Sequence, residues 1–246
     1  MTTTIVLGDG PLGQTIATVL RGRGDAVELL GRPVGERHDP GTLRAADVIV
    51  DASRADAVAS NVEAALDAGC RSFVIATTGW QADVDRVGVA LRRAGATAVV
   101  APNLALGAAL FLRLVDEAAR LAGAIGGFEP SVVEWHRRSK ADRPSGTARE
   151  IVRRLSSALP IDVDEVAVVR AGSMPGMHVV GLDGTSETIE LRLTARDRSG
   201  YAAGALVAID WLRRTPHASG IHTFDEVVDD LVEARGRTPE LVGATA

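Results

Sequence analysis

Residues 4–23 read TIVLGDGPLGQTIATVLRGR, and the fold is decided there. Thr4 to Leu7 is a short β-branched and apolar run, the composition of a buried strand. Gly8-Asp9-Gly10-Pro11-Leu12-Gly13 follows without a spacer and opens an amphipathic stretch from Gln14 to Arg23. Strand, glycine turn and helix in this order give the spacing Gly-x-Gly-x-x-Gly its meaning. Gly8 makes the tight turn, Gly10 lets a pyrophosphate approach the backbone, and Gly13 permits close packing of the helix on the strand. Gly8, Asp9, Gly10, Pro11, Leu12 and Gly13 are therefore the candidate residues for holding a dinucleotide, the alternative being a glycine-rich turn with no ligand.

Reading outward, Ala26 to Leu30 forms a second strand and ends at Gly31-Arg32. A site for NAD usually places an acidic residue there to hold the ribose hydroxyls. Glycine cannot do so, whereas Arg32 suits a 2′-phosphate, which favours NADPH over NADH. Asp47 to Asp51 is a third strand, followed by a helical stretch from Asp56 to Gly69. Ser72 to Ile75 is a fourth, delivering Ala76, Thr77 and Thr78 to the carboxyl end of the sheet, where ligands of open α/β sheets bind. A helix from Asp83 to Ala94 leads to a fifth strand at Ala98 to Val100, ending at Ala101, Pro102 and Asn103. The alternation implies a parallel sheet with helices on both faces.

Beyond Asn103 the pattern changes. Leu104 to Leu121 is a long helix candidate, Ser131 to Glu134 a strand, and Val166 to Leu193 alternates with period two around a turn at Asp183-Gly184. This describes a second α+β domain with an open mixed sheet. Its densest chemistry lies at 134–150, EWHRRSKADRPSGTARE, where His136, Arg137, Arg138, Lys140 and Arg143 collect positive charge in a chain of net charge −5. Thr147 and Glu150 have the spacing of a capping box, so a helix starts here, and its first N–H groups beside Gly146 suit a carboxylate or phosphate. A merely solvated basic loop is the alternative. Glu134 and Asp142 are placed to orient His136 and Lys140 or to fix the loop.

Composition narrows the classes. The acidic balance and 3% aromatic content oppose a nucleic-acid surface. No apolar run approaches a membrane span, and the N-terminus has neither a charged segment nor a cleavage site, so a cytoplasmic location is expected. The single cysteine, Cys70, excludes an internal disulfide. No cluster has metal-ligand spacing along the chain, so no metal is expected. His38, His217 and His222 stand among turn residues and read as surface groups.

The stretch Glu134 to Ala148 resembles the signature of the dihydrodipicolinate reductases, E-x-H-H-x-x-K-x-D-x-P-S-G-T-A. The similarity extends in order through Asp51-Ala52-Ser53 with Asn61, Ala76-Thr77-Thr78-Gly79, Ala101-Pro102-Asn103 with Gly107, and Ala202-Ala203-Gly204-Ala205. The resemblance implies a Rossmann-like dinucleotide-binding domain at 1–105, completed by 203–246, and a substrate-binding and oligomerisation domain at 106–202. It also implies NAD(P)H as cofactor, a homotetramer, and reduction of an unsaturated cyclic imine or enamine carboxylate such as 4-hydroxy-tetrahydrodipicolinate in lysine and diaminopimelate biosynthesis. By position, His136 is the acid/base residue, Lys140 assists protonation, and Gly146 and Thr147 bind a substrate carboxylate. Ala76 to Thr78 and Ala101 to Asn103 join the cofactor set. The sequence departs from the pattern at Arg137, a substrate-contacting position where the family has a second His, and at Leu193, another family His. The glycine loop is one residue shorter, with Pro11-Leu12 before the third glycine. These departures leave two alternatives, a paralogue acting on a related heterocycle in specialised metabolism and a non-catalytic NADP-binding sensor.

Overall fold

The computed structural model describes residues 3–33, 38–44, 46–101, 103–214 and 216–236. The chain divides into two compact units, 1–102 with 203–246, and 103–202.

The first unit is built from β1 (Thr3–Leu7), α1 (Pro11–Gly22), β2 (Ala26–Leu30), α2 (Pro40–Leu43), β3 (Val48–Asp51), α3 (Val58–Asp67), β4 (Ser72–Ile75), α4 (Val84–Ala94) and β5 (Thr97–Val100). All its strands are parallel, in the order β10-β5-β4-β3-β1-β2, where β10 is Gly220–Thr223. This is the doubly wound α/β architecture expected from residues 4–23. The order reverses between β1 and β3, and the crevice at such a reversal is where these sheets bind ligands. Register makes two apolar layers. Ile5, Ile49, Phe73 and Ala98 align on one face, and Val6, Val50, Val74 and Val99 align on the other. All eight are buried, which is why these strands read as continuous apolar runs. Val58, Val62 and Ala65 of α3 and Val87 and Leu91 of α4 complete the core against the first layer. In α1 the buried residues Gly13, Ile16, Ala17 and Leu20 recur at helical spacing.

Strand β10 was not legible as a strand. Its four residues, Gly-Ile-His-Thr, lie in a polar stretch, and only pairing with β5 makes them one. His38 and His217 also depart from expectation. His38 is buried, and His217 stacks on Trp211 with ring centroids 3.4 Å apart.

The second unit contains α5 (Leu106–Ile125), β6 (Glu129–His136), α6 (Gly146–Leu155), β7 (Ala167–Arg170), β8 (Gly176–Asp183) and β9 (Thr188–Ala195). Helix α7 (Ser199–Arg214) runs on past residue 202, and α8 (Phe224–Gly236) follows β10. The second sheet has the order β7-β6-β8-β9; β7 is parallel to β6, and β8 and β9 are antiparallel to their neighbours. One face is covered by α5 and α6, whose Phe111, Val115, Ala148, Ile151 and Leu155 pack with Val132, Val180 and Leu182 of the sheet. Because side chains alternate along a strand, Val132, Glu134 and His136 of β6 share that covered face. The pairs Pro130–Leu182 and Val132–Val180 are apolar; the next, Glu134–His178, is polar. The strand thus carries its chemistry at its carboxyl end.

Candidate active site

Glu134 organises the polar end of this sheet. Its side chain is fully buried, and Oε1 accepts hydrogen bonds from the Ser145 amide at 3.0 Å and from Nη2 of Arg170 at 2.6 Å. Arg170, at the end of β7, is itself fully buried as a side chain, and the same Nη2 donates to the Asp142 carbonyl at 2.6 Å. Glu134 Oε2 lies 3.4 Å from Nδ1 of His136 and 3.6 Å from Nε2 of His178. Neither Glu134 Oε2 nor His136 Nδ1 closes a hydrogen bond with a described residue. Nε2 of His178 is 3.2 Å from Ser145 Oγ, and the two imidazoles meet edge to face at 5.1 Å.

Burial alone would raise the Glu134 carboxyl, but the His178 imidazole 3.6 Å away and the hydrogen bonds from Ser145 and Arg170 outweigh it and hold the group well below the usual carboxylate range. His136 moves the other way from a catalytic optimum. Burial first, then His178, Lys140 and Arg170, push its imidazole down to about 4 against the pull of Glu134. In the protein without substrate it is therefore neutral at pH 7, and the ionised Glu134 beside Nδ1 favours the tautomer with the proton on that atom. The unperturbed value expected for an acid working near neutrality is absent because His136 itself is buried. A stability consequence follows. Between the unfolded value of 6.5 and the folded value of about 4, the unfolded chain binds the extra proton. Stability is therefore fully present above pH 6.5 and falls toward pH 4, by roughly 3 kcal/mol from this residue. Urea midpoints measured across that window should show the decline, and His136→Phe should flatten it.

Lys140 pairs with Asp142 at 2.8 Å and is half-buried. Arg137 is exposed and donates from Nε to Ser139 Oγ at 3.2 Å. Helix α6 begins two residues earlier than expected. Ser145 is the N-cap, its Oγ accepting from the Ala148 amide at 3.1 Å, while Glu150 is held by Arg153 and Arg154 instead of reaching back to the helix start. Ser145 wins because Glu134 and His178 fix it from the sheet, a tertiary constraint that local spacing cannot express. This leaves the N–H groups of Gly146 and Thr147 at the helix start without intrahelical partners. Gly146 is exposed, and a Cβ there would meet nothing within 4 Å.

Arg170, His178 and Ser145 are the residues that sequence reasoning undervalued. Strand register, invisible along the chain, brings Arg170 and His178 to Glu134, and the segment between β6 and α6 returns Ser145 to it. The same register brings ligand atoms of Glu134, His136 and His178 within 4.8 Å of one another, although no metal-like spacing exists in sequence. Arg170 already supplies the positive charge that a cation would bring to Glu134, so the trio reads as a charge and hydrogen-bond network.

In the first unit, a cavity of about 410 Å³ is lined by Gly10, Pro11 and Leu12 after β1, Ala52 to Ala55 after β3, and Ala76, Thr77 and Thr78 after β4. It lies at the reversal of strand order. Gly8 has φ of +107°, and a Cβ on Gly13 would lie 1.8 Å from the Gly8 carbonyl oxygen, so both glycines are obligatory. A Cβ on Gly10 would meet nothing within 4 Å, and α1 starts at Pro11 with no side-chain cap or acidic residue in its first turn. The helix start is open to an anion, and these residues fit a pyrophosphate. Asp51 holds two of the walls from beneath. Its Oδ1 accepts from Ser53 N, Ser53 Oγ and Thr77 Oγ1 at 3.0, 2.8 and 2.6 Å, and its Oδ2 accepts from Asn61 at 2.8 Å. Asp9 is exposed, with Oδ2 beside Gly31, and Arg32 is exposed. Ala101 is buried after β5, and Pro102 lies outside the described residues. Asn103 belongs to the second unit, where its Oδ1 accepts from the Ala105 amide at 2.9 Å. Trp80 is buried in the core.

Two family models match nearly the whole chain. Dihydrodipicolinate reductase, N-terminus, matches residues 5–104, and dihydrodipicolinate reductase, C-terminus, matches residues 107–228. The chain belongs to the dihydrodipicolinate reductase family. It is accordingly an NAD(P)H-dependent oxidoreductase, in a family that serves lysine and diaminopimelate biosynthesis. Among curated relatives, the 4-hydroxy-tetrahydrodipicolinate reductase of Methanopyrus kandleri is 35% identical over 77% of this chain and 74% of its own length. That of Archaeoglobus fulgidus is 33% identical over 75% and 76%. In fold the chain is similar to a dipicolinate-bound dihydrodipicolinate reductase from Paenisporosarcina sp. TG-14, with a TM-score of 0.71 at 18% identity, covering 91% of this chain and 97% of that one. No helix among the described residues is long and apolar enough to cross a membrane.

Proposed function

We propose that this member of the family reduces 4-hydroxy-tetrahydrodipicolinate, or a closely similar cyclic imine or enamine carrying carboxylates, as a cytoplasmic homotetramer. The reading rests chiefly on one observation. His136, Lys140 and the uncapped N–H groups of Gly146 and Thr147 come from one strand end, one loop and one helix start, and His136 and that helix start are both tied to Glu134.

NADPH or NADH, when bound, would supply the hydride; Gly8 to Gly13, Arg32, Ala76 to Thr78 and Ala101 to Asn103 are assigned to holding it. Gly146 and Thr147 take one substrate carboxylate at the positive end of α6. Arg137 takes a second, as a planar fork with its own charge. Reduction leaves negative charge on the substrate that a proton must quench. His136 is neutral when alone, and the arriving carboxylates raise its affinity for a proton so that Nε2 can deliver it. Lys140, with three donors, stabilises the same developing charge. The tetramer is supported by Trp135, Val169 and Ile189, large apolar residues left exposed on β6, β7 and β9. Size-exclusion chromatography with light scattering should give four copies of the 25.6 kDa chain.

The activity test is oxidation of NADPH or NADH, followed by nicotinamide absorbance, with enzymatically generated 4-hydroxy-tetrahydrodipicolinate. Turnover with that compound is expected. Failure with both cofactors would remove that substrate and favour a related heterocycle, a second reading motivated by Arg137 in place of a titratable ring.

A further inference from the structure

We infer that Asp9 selects the cofactor, accepting the free ribose hydroxyls of NADH and repelling the 2′-phosphate of NADPH. The inference rests on the assignment of the glycine turn to a dinucleotide and goes beyond it by deciding between the two.

Gly31 directly follows β2, where a ribose-binding acid ordinarily stands. Glycine is not needed there for backbone conformation, since Gly31 is not among the positive-φ glycines. Its missing side chain leaves the space that the Asp9 carboxylate occupies. A Cβ at position 31 would lie 2.8 Å from Oδ2 of Asp9, 3.2 Å from its Cγ and 3.6 Å from its Oδ1. The carboxylate missing from the end of β2 is thus delivered to the same place from the neighbouring turn. The turn is fixed against β2 by the hydrogen bond from Gly8 N to the Leu30 carbonyl at 2.7 Å, and Gln14 Nε2 donates to the Asp9 carbonyl at 2.7 Å. The Asp9 carboxylate is exposed and accepts no hydrogen bond from a described residue, so its lone pairs remain for a ligand.

A carboxylate held this way matches a vicinal diol, with two short charge-assisted hydrogen bonds. A 2′-phosphate would set like charges in contact. Arg32 pulls in the other direction, but it is exposed, makes no ion pair with a described residue and sits on a long flexible stem. The Asp9 carboxylate is one carbon from a backbone turn tied to β2, so it should outweigh a donor at the end of a long, water-screened stem.

The test measures kcat/KM with NADH and NADPH for the natural chain, Asp9→Asn and Arg32→Ala, with direct titration of both cofactors by nicotinamide fluorescence. The natural chain should prefer NADH, and Asp9→Asn should move the ratio toward NADPH by on the order of tenfold or more, mostly through KM. A general disturbance of the turn would weaken both cofactors together and leave the ratio unmoved. Preference of the natural chain for NADPH, or an unchanged ratio in Asp9→Asn, overturns the inference. Titrations that detect neither cofactor would instead defeat the assignment of the glycine turn itself, and the inference with it.

Discussion

His136→Gln is expected to lower kcat by roughly 10²- to 10⁴-fold, the range associated with loss of a positioned acid or base, while leaving cofactor affinity within a small factor of the natural chain. The two readouts separate because the glycine turn and the cavity beside it belong to a different compact unit from His136. Gln retains a polar tip of similar reach but cannot carry a titrating proton. The pH profile adds a further check. His136 sits at about 4 without substrate, so kcat/KM, which reports the free enzyme, should carry an inflection far below that of an ordinary histidine, and the inflection in kcat should be higher. Equal turnover by the natural chain and the variant would remove His136 as the acid.

Glu134→Ala is expected to destabilise the protein by about 3–5 kcal/mol, the cost of leaving one member of a buried ion pair without its partner. Arg170, fully buried as a side chain, would lose the acceptor at 2.6 Å, and the Ser145 amide would lose the acceptor that pins the start of α6. Urea unfolding measures the loss, and a double-mutant cycle with Arg170→Ala should return a coupling of roughly 0.5–3 kcal/mol. Because the folded Glu134 carboxyl titrates well below its unfolded value, its contribution is present above the ordinary carboxylate range and is lost as pH falls through and below that range. Glu134→Ala should accordingly weaken the acid sensitivity of stability. An unchanged urea midpoint would show that the surrounding waters or rearranged side chains satisfy Arg170 without it.

Much of the fold was legible because it is local. The glycine turn at 8–13 announces itself through residue types that only one conformation requires, as the 1.8 Å approach of a Gly13 Cβ to the Gly8 oxygen makes plain. The parallel strands β1, β3 and β4 are buried on both faces and so appear as unbroken apolar runs. Strand β10 escaped because an edge strand of four mixed residues has no periodicity of its own. The start of α6 was misread for a related reason. Thr147 and Glu150 satisfy a local rule, yet Ser145 is the residue that the sheet holds in place.

The candidate site divides along the same line. His136, Lys140, Gly146 and Thr147 lie within a dozen residues, so their association is covalent before it is structural. Arg170 and His178 are tens of residues away and reach Glu134 only through the pairing of β6 with β7 and β8. Asp9 and Gly31 meet only because β1 and β2 are neighbours.

By itself the sequence determined the α/β class, the dinucleotide turn and the basic loop with its histidine, since each is written in contiguous residues whose backbone or periodicity demands are local. Only the tertiary structure decided which groups share a carboxylate, how far burial depresses His136, and which acid stands at the end of β2. Those outcomes depend on register and desolvation, which arise between segments and have no counterpart in spacing along the chain.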